Sequence, residues 1–409
     1  MTSDALGRGV VHDLVVVGSG PAGAATALGA LAVDPDLSVL LLDRADFPRD
    51  KSCGDGVAPH VLDLLAEVGV TGLLDDRVPV TRLRLRRGDL GVDRPMTRPA
   101  WVVPRRVLDA RLLDAALGAG ARWERRRVRD LVVGDDGVVL DGEVAGRLTV
   151  GADGAHSVVR RALGRPDGPR ALAIRGYAPT PAERRGGQTI VFGDSRQPSY
   201  AWAFDCGDGT SNVGYGELLT TRRDPPTRRQ LLEQLEHLLP GTTADAVDWR
   251  GHHLPLSTAR PLRPAHGRVL LAGDAAGLVN PLTGEGIYYA VATGLLAGRA
   301  AAEALRDAGS DGPRARATAE TAAGATYTRR VRRLLARHLR HTALAARLSL
   351  NGRVLDAGLR ASARDQRVFD DLVELGLARG TLTPTLSRGL ATSLLGRTPP
   401  HAHPQETPV

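Results

Sequence analysis

Residues 13–23 read Asp-Leu-Val-Val-Val-Gly-Ser-Gly-Pro-Ala-Gly, and this stretch decides the fold. Asp13 to Val17 is a short apolar run closed by glycine, the pattern of a buried parallel strand. Gly18-Ser19-Gly20-Pro21-Ala22-Gly23 follows at once. The alanine-rich stretch from Ala24 to Ala32 then predicts a helix of small side chains that packs closely on a sheet. A second strand, Ser38 to Leu42, ends at Asp43, twenty residues after Gly23. Strand, glycine turn, helix, strand and acid, in that order, are the context a dinucleotide fingerprint requires. Gly18 permits the tight turn, Gly20 lets the backbone approach a pyrophosphate, and Gly23 brings the helix against the strand. Pro21 and Ala22 open a helix whose unpaired N–H groups and positive dipole end attract phosphate. Asp43, with Arg44 beside it, is placed to accept hydrogen bonds from a ribose diol. Gly118-Ala119-Gly120 is a decoy, because it closes a helix instead of following a strand.

Two further strand ends carry a glycine and an acid. Leu148 to Val150 runs into Gly151-Ala152-Asp153-Gly154, with a helix from Ser157. Val269 to Leu271 runs into Ala272-Gly273-Asp274-Ala275-Ala276-Gly277. Asn280-Pro281-Leu282-Thr283-Gly284-Glu285-Gly286 then leads into an alanine-rich helix. Each is a commonplace turn alone. Together they imply a large cofactor touched from distant parts of the chain.

Taken together, these motifs resemble the flavoproteins of para-hydroxybenzoate hydroxylase type, and within them the geranylgeranyl reductase family. The segment Lys51-Ser52-Cys53-Gly54-Asp55-Gly56 and the Asn280-Pro281 to Ile287 stretch carry the likeness to the reductase branch, and Arg105, four residues before Asp109, matches a further, weaker position. The resemblance spans about residues 10 to 310 and implies FAD as cofactor. It implies that Gly18, Gly20, Gly23 and Asp43 hold the adenosine half and that Arg105 and Asp153 lie near the pyrophosphate and flavin. By the same likeness Asp274 bonds the ribityl chain, Gly284, Glu285 and Gly286 line the pyrimidine edge of the flavin, and Cys53 and Gly54 sit on its substrate side. The family has no separate nicotinamide-binding domain. No second valid fingerprint is found here, so NADPH or another external donor visits transiently.

An isolated alkene accepts hydride poorly, so its saturation needs a proton donor in a dry cavity. Cys53 is the candidate donor, and a small buried hydrophobe is the bland reading of the same residue. Lys51 is the chain's single lysine among 54 cationic residues. It reads either as a group that lowers the thiol pKa or meets an anionic headgroup, or as a solvated surface charge. Asp55 and His60 read as structural or capping groups.

Residues 166–262 change character. Short strands over 171–177, 188–192, 200–204 and 211–216, with glycines at 207 and 209 making a hairpin turn, predict an antiparallel substrate domain. The chain has fourteen Phe, Trp and Tyr residues, and Tyr177, Phe192, Tyr200, Trp202, Phe204 and Tyr215 all lie here. Alternation puts 200, 202 and 204 on one strand face. From this cluster Tyr177, Tyr200, Trp202, Phe204 and Tyr215 are the candidate substrate wall, with sheet packing as the competing explanation. The family commonly has proline after the Phe204 position, where this chain has Asp205. Residues 227–239 predict an amphipathic helix packed on the sheet. Adjacent His252 and His253 point to opposite strand faces and make a poor metal pair, so no metal is expected.

The expected fold is α/β. A Rossmann-type FAD-binding domain is assembled from 1–75, 101–165 and 263–310, with a substrate domain at 166–262 joined by strands within 76–100. A helical region at 311–396 and a disordered tail at 397–409 complete the chain. Two cysteines among 409 residues build no disulfide framework, and no signal peptide or membrane span is visible, so a reducing cytoplasm is expected. The net charge of +8 reflects an arginine-rich composition more than a partner, and no nucleic-acid motif accompanies it. Residues 327–350 form a basic amphipathic helix that reads either as a cover on the cofactor domain or as a peripheral contact with the inner membrane face. The expected activity is saturation of carbon–carbon double bonds in an isoprenoid or similarly apolar small-molecule or lipid substrate. A flavin monooxygenase of the same architecture is the alternative. Oligomeric state is left open.

Overall fold

The computed structural model describes residues 10–194, 198–220, 224–260, 263–307 and 312–396. The tail expected at 397–409 lies outside the described residues. The opening apolar run forms the strand Val11–Val17, which pairs in parallel with Val39–Asp43 on one side and Val144–Gly151 on the other. Arg122–Arg125 extends the sheet past Val39–Asp43, and Val269–Leu271 extends it past Val144–Gly151. The three central strands are almost wholly buried at their carboxyl ends, as expected for a parallel sheet covered on both faces.

One face carries the helices Pro21–Leu31, Arg105–Gly118 and Ile287–Asp307. The small side chains foreseen on Pro21–Leu31 serve helix–helix contact as well as the sheet. A Cβ at Gly294 would lie 2.3 Å from the Ala22 carbonyl, and one at Gly298 2.0 Å from that of Thr26, so the two helices meet backbone to backbone. The other face is covered by the hairpin Leu131–Val133 and Val138–Leu140.

The second sheet runs in the spatial order Val247–Pro255, Arg170–Pro179, Thr210–Leu218, Ser199–Asp205, Gly187–Phe192, Val80–Arg87, Leu90–Val102, Gly56–Val57. It is mixed, not purely antiparallel, because Gly187–Phe192 pairs in parallel with Val80–Arg87. The helix Arg228–Leu238, started by a capping box between Thr227 and Gln230, packs Leu231 and Leu235 on its outer face. Asp205, where the family commonly has proline, is a buried anchor. Its carboxylate accepts hydrogen bonds from the backbone of Gly186 (2.6 Å) and Gly207 (3.0 Å).

Four helices, Gly312–Leu348, Gly352–Arg364, Gln366–Leu377 and Pro384–Leu395, close the molecule. One face of the basic stretch at 327–350 packs on the cofactor domain. Tyr327, Val331, Leu335 and Leu339 are buried in the core beneath the helix Ile287–Asp307, while Arg329, Arg333, Arg337 and Arg340 face outward. No helix among the described residues is long and apolar enough to cross a membrane.

Candidate active site

A cavity of about 1030 Å³ runs between the two sheets and under the C-terminal helices. It lies at the upper end of the size range of small-molecule sites.

At its polar end stands the fingerprint turn. Gly18 takes φ +98°, and a Cβ there would meet the Ala152 carbonyl oxygen at 2.4 Å. A Cβ on Gly23 would lie 1.8 Å from the Gly18 carbonyl oxygen, so the helix can approach the turn only without a side chain. Gly20 caps the helix with no side-chain hydrogen bond and Pro21 follows, which leaves the amino-terminal N–H groups directed at the cavity. Asp43 Oδ2 accepts from Ser19 N (2.9 Å) and Oδ1 from Ala45 N (3.0 Å), fixing the acid at the end of its strand. Arg44 lines the same end. Arg105 is gripped by Asp109 through two hydrogen bonds of 2.6 and 2.7 Å, and Asp109 holds Arg49 at 3.3 Å. Burial works against the Arg105 charge, but Asp109 keeps it protonated.

The other two glycine–acid turns converge from the opposite side. Asp153 Oδ2 caps the helix Val158–Ala162 through Val158 N (2.6 Å), while Oδ1 is buried without a partner. Burial raises the Asp153 pKa. Arg160 ties the two turns together, donating to the Ala155 carbonyl (2.8 Å) and to those of Asp274 and Ala275 (3.3 Å each). Asp274 pairs with Lys51 Nζ at 2.9 Å; burial opposes its charge, yet Lys51 holds the carboxyl below its usual range. Glu285 is pushed up to about 7 by burial, against the hydrogen bond it accepts from Tyr288 N (2.8 Å).

A cation, an extended polar cleft and an open helix terminus, followed by buried carboxyl groups, fit an FAD laid across the sheet. The unpartnered Asp153 oxygen is the orphan such a ligand would satisfy.

The loop 46–57 divides the polar from the apolar end. Arg175, fully buried, donates to Asp50 (2.5 Å) and to the Lys51 carbonyl (3.2 Å), and Ser52 Oγ donates to the Arg250 carbonyl (3.0 Å). Cys53 lines the cavity, and burial raises its pKa. Lys51 does not lower it, because its ammonium is committed to Asp274.

Beyond the loop stands the aromatic wall. Register places Tyr200 opposite Phe192, Trp202 opposite Ile190 and Phe204 opposite Gln188, so all six side chains share the cavity face. Trp202 fits because its cross-strand partner is Gly214, whose Cβ would fall 2.3 Å from the indole. Trp202 Nε1 donates to Asn212 Oδ1 (2.7 Å), and Tyr200 Oη donates to the Thr283 carbonyl (2.5 Å). Two expected members of this wall are corrected. Tyr215 alternates to the far face, where it is buried against the helix Arg228–Leu238 and bonds Glu217 (3.1 Å). Tyr177 shares the row of Asn212, but the Cys53 loop covers it and its hydroxyl donates to Asp55 at 2.5 Å.

Gly273 likewise lies outside the lining. It adopts φ +57°, and its N–H donates to Thr293 Oγ1 (2.9 Å). Gly20, Pro21, Ala22, Gly54, Gly284 and Gly286 all line the cavity. Sequence reasoning missed Arg49, Arg126, Arg127, His156, Arg161 and His252, which also line it. His252 and His253 both meet the His156 ring edge-on, and burial pushes His252 down to about 4, leaving it neutral. The apolar arm was missed as well. Leu355, Gly358, Leu359, Leu372, Leu375, Leu386 and Leu390 from the C-terminal helices enclose it. Their leucine periodicity was the available signal.

The sheet order, the three converging turns and the cavity define a two-sheet flavoprotein whose cavity is roofed by the C-terminal helices. Comparison with known proteins agrees. The FAD binding domain family matches residues 12–330. A menaquinone reductase of Mycolicibacterium smegmatis is 35% identical over 320 residues, covering 70% of this chain and 75% of the relative. A digeranylgeranylglycerophospholipid reductase of Methanopyrus kandleri is 30% identical over 314 residues, covering 72% and 78%. A geranylgeranyl bacteriochlorophyll reductase-like protein from Thermoplasma acidophilum superposes with a TM-score of 0.76 at 17% identity, over 94% of this chain and 97% of that one. The chain belongs to the geranylgeranyl reductase-like family of FAD-dependent oxidoreductases.

Proposed function

We propose that this enzyme saturates carbon–carbon double bonds of a long isoprenoid or similarly apolar chain. One observation carries the reading: the cavity is continuous from the phosphate-binding turn, past Cys53, into an arm walled by aromatic and aliphatic side chains. Bound FAD, once reduced by NADPH or another external donor, supplies hydride. The chain's own residues do the rest. Gly18, Gly20, Pro21, Ala22 and the helix terminus would hold the pyrophosphate of FAD, Asp43 and Arg44 its adenosine ribose, and Arg105 and Asp153 would lie near the phosphates. The Lys51–Asp274 pair keeps a carboxylate ionised that would bond the ribityl chain, and the backbone at 284–286 would border the ring. Tyr200, Trp202 and Phe204 exclude water and hold the alkene. Cys53 holds a proton on Sγ, because burial keeps it a thiol near neutrality.

The exposed Leu344, Leu348 and Leu350 follow Arg337 and Arg340, and Leu348 also lines the apolar arm. This supports loading of substrate from an anionic lipid surface, tested by flotation with vesicles carrying phosphatidylglycerol. The main test is Cys53→Ala. Flavin content is expected to be retained while alkene reduction falls at least about a hundredfold, within the range that general acids contribute. Parental turnover in that variant would reject the thiol as proton donor.

A further inference from the structure

Asp55 sits two residues beyond Cys53 with no exposed surface. Its φ of +59° is a left-handed conformation rare outside glycine, and such outliers cluster at functional sites. Oδ2 accepts two hydrogen bonds, from Tyr177 Oη (2.5 Å) and Asn212 Nδ2 (2.8 Å). The same Asn212 nitrogen donates to the Cys53 carbonyl (2.8 Å), which ties the carboxyl to the loop that carries the thiol. Oδ1 is buried and has no partner. A bare buried carboxylate oxygen is costly, whereas an oxygen carrying a proton there is not. The loop clamp uses Oδ2 alone, so Oδ1 is left over.

We propose that Asp55 is the proton store behind Cys53, holding a proton on Oδ1 and returning it to the thiolate after each turnover. The proposal rests on Cys53 as the proton donor. In the step, the S–H bond breaks and its proton goes to a substrate carbon, leaving the electron pair on sulfur. The Oδ1–H bond then breaks, a new S–H bond forms, and the carboxylate takes its next proton from water. The groups facing Asp55 are consistent. Burial pushes its carboxyl up to about 6, against Arg175 from one sheet strand and Arg105 from the fingerprint side. Tyr177 and Cys206, both with raised pKa values, stay neutral beside it.

Asp55→Asn is the test. Asparagine tolerates φ above zero, and its carbonyl can accept from Tyr177 and Asn212, so the clamp survives while the acid is lost. With the flavin-loaded enzyme and geranylgeraniol, single-turnover flavin reoxidation should stay within about twofold of the parent, because Cys53 starts protonated. Steady-state turnover should fall at least about tenfold. Independently of activity, alkylation of Cys53 by iodoacetamide between pH 5 and 8, read by peptide mass, should rise with pH less steeply above about 6 in the parent than in the variant, since only the parent gains a neighbouring negative charge as Asp55 gives up its proton. Equal losses in both kinetic regimes, unchanged steady-state turnover, or the same alkylation profile in parent and variant would overturn the assignment. If Cys53→Ala keeps parental activity, the thiol reading fails and takes this proposal with it. If Cys53→Ala is inactive while Asp55→Asn behaves as the parent, only the role of Asp55 is lost.

Discussion

Gly358→Phe tests what the apolar arm does. Gly358 lies on the helix Gly352–Arg364 and lines the cavity. A Cβ there meets only Leu390 Cδ2, at an ordinary 3.7 Å, so the first atom of a side chain is accommodated and a phenyl ring would project into the arm. Burial stabilises a bound chain by about 0.8 kcal/mol per methylene, so a five-carbon isoprene unit is worth at most ~4 kcal/mol. Ordering a flexible chain offsets part of this, leaving about 2–3 kcal/mol per unit, or roughly 30- to 150-fold in affinity. The assay is kcat/KM for ten-, fifteen- and twenty-carbon prenyl alcohols with the flavin-loaded enzyme. The parent should favour longer chains. The variant should lose roughly 30- to 150-fold on the twenty-carbon substrate and little on the ten-carbon one. Equal losses at every length with flavin retained, or a parent indifferent to length, would refute the arm as the chain's seat.

Three further outcomes follow from the geometry. Gly23→Ala should strip flavin and destabilise the fold, because the new methyl meets the Gly18 carbonyl at 1.8 Å; normal absorbance near 450 nm in the purified variant would contradict this. Asp109→Leu leaves the buried Arg105 guanidinium uncompensated, so denaturant unfolding should show a loss of about 3–5 kcal/mol, and a loss under about 1 kcal/mol would contradict it. Asp55 binds its proton in the native state up to about pH 6 but releases it near 3.9 when unfolded. Its contribution to stability is therefore present below the unfolded value and lost as pH rises through that window, by about 3 kcal/mol in full. Asp55→Asn should remove that part of the slope between pH 4 and 7, and an unaltered slope would show that the carboxyl ionises normally.

Much of the fold was legible because it rests on local signals. The strand over 13–17, the glycine turn and Asp43 lie within thirty-one residues, and period-two alternation put Tyr200, Trp202 and Phe204 together correctly. Tyr215 was included only because it lies in the same aromatic cluster. Its parity depends on pairing with Ser199–Asp205, where Gly214 and Gly216 face the cavity instead. Tyr177 was on the right face, but nothing local indicates that a loop more than a hundred residues away would cover it. The leucines of the last three helices announced amphipathic packing without saying that part of their apolar face would line empty space. Lys51 was noticed for its rarity, yet its partner Asp274 is 223 residues distant, so its pairing was out of reach of spacing arguments. Asp55 read as a cap because only the structure reveals an oxygen with no partner.

The most direct measurement is product mass after anaerobic incubation of the dithionite-reduced, flavin-loaded enzyme with a panel of polyprenyl compounds. Reductive saturation predicts a gain of two hydrogens per double bond and no oxygen. Absence of product without air, together with a gain of one oxygen atom when air and NADPH are supplied, would contradict it and assign the cavity to a monooxygenase.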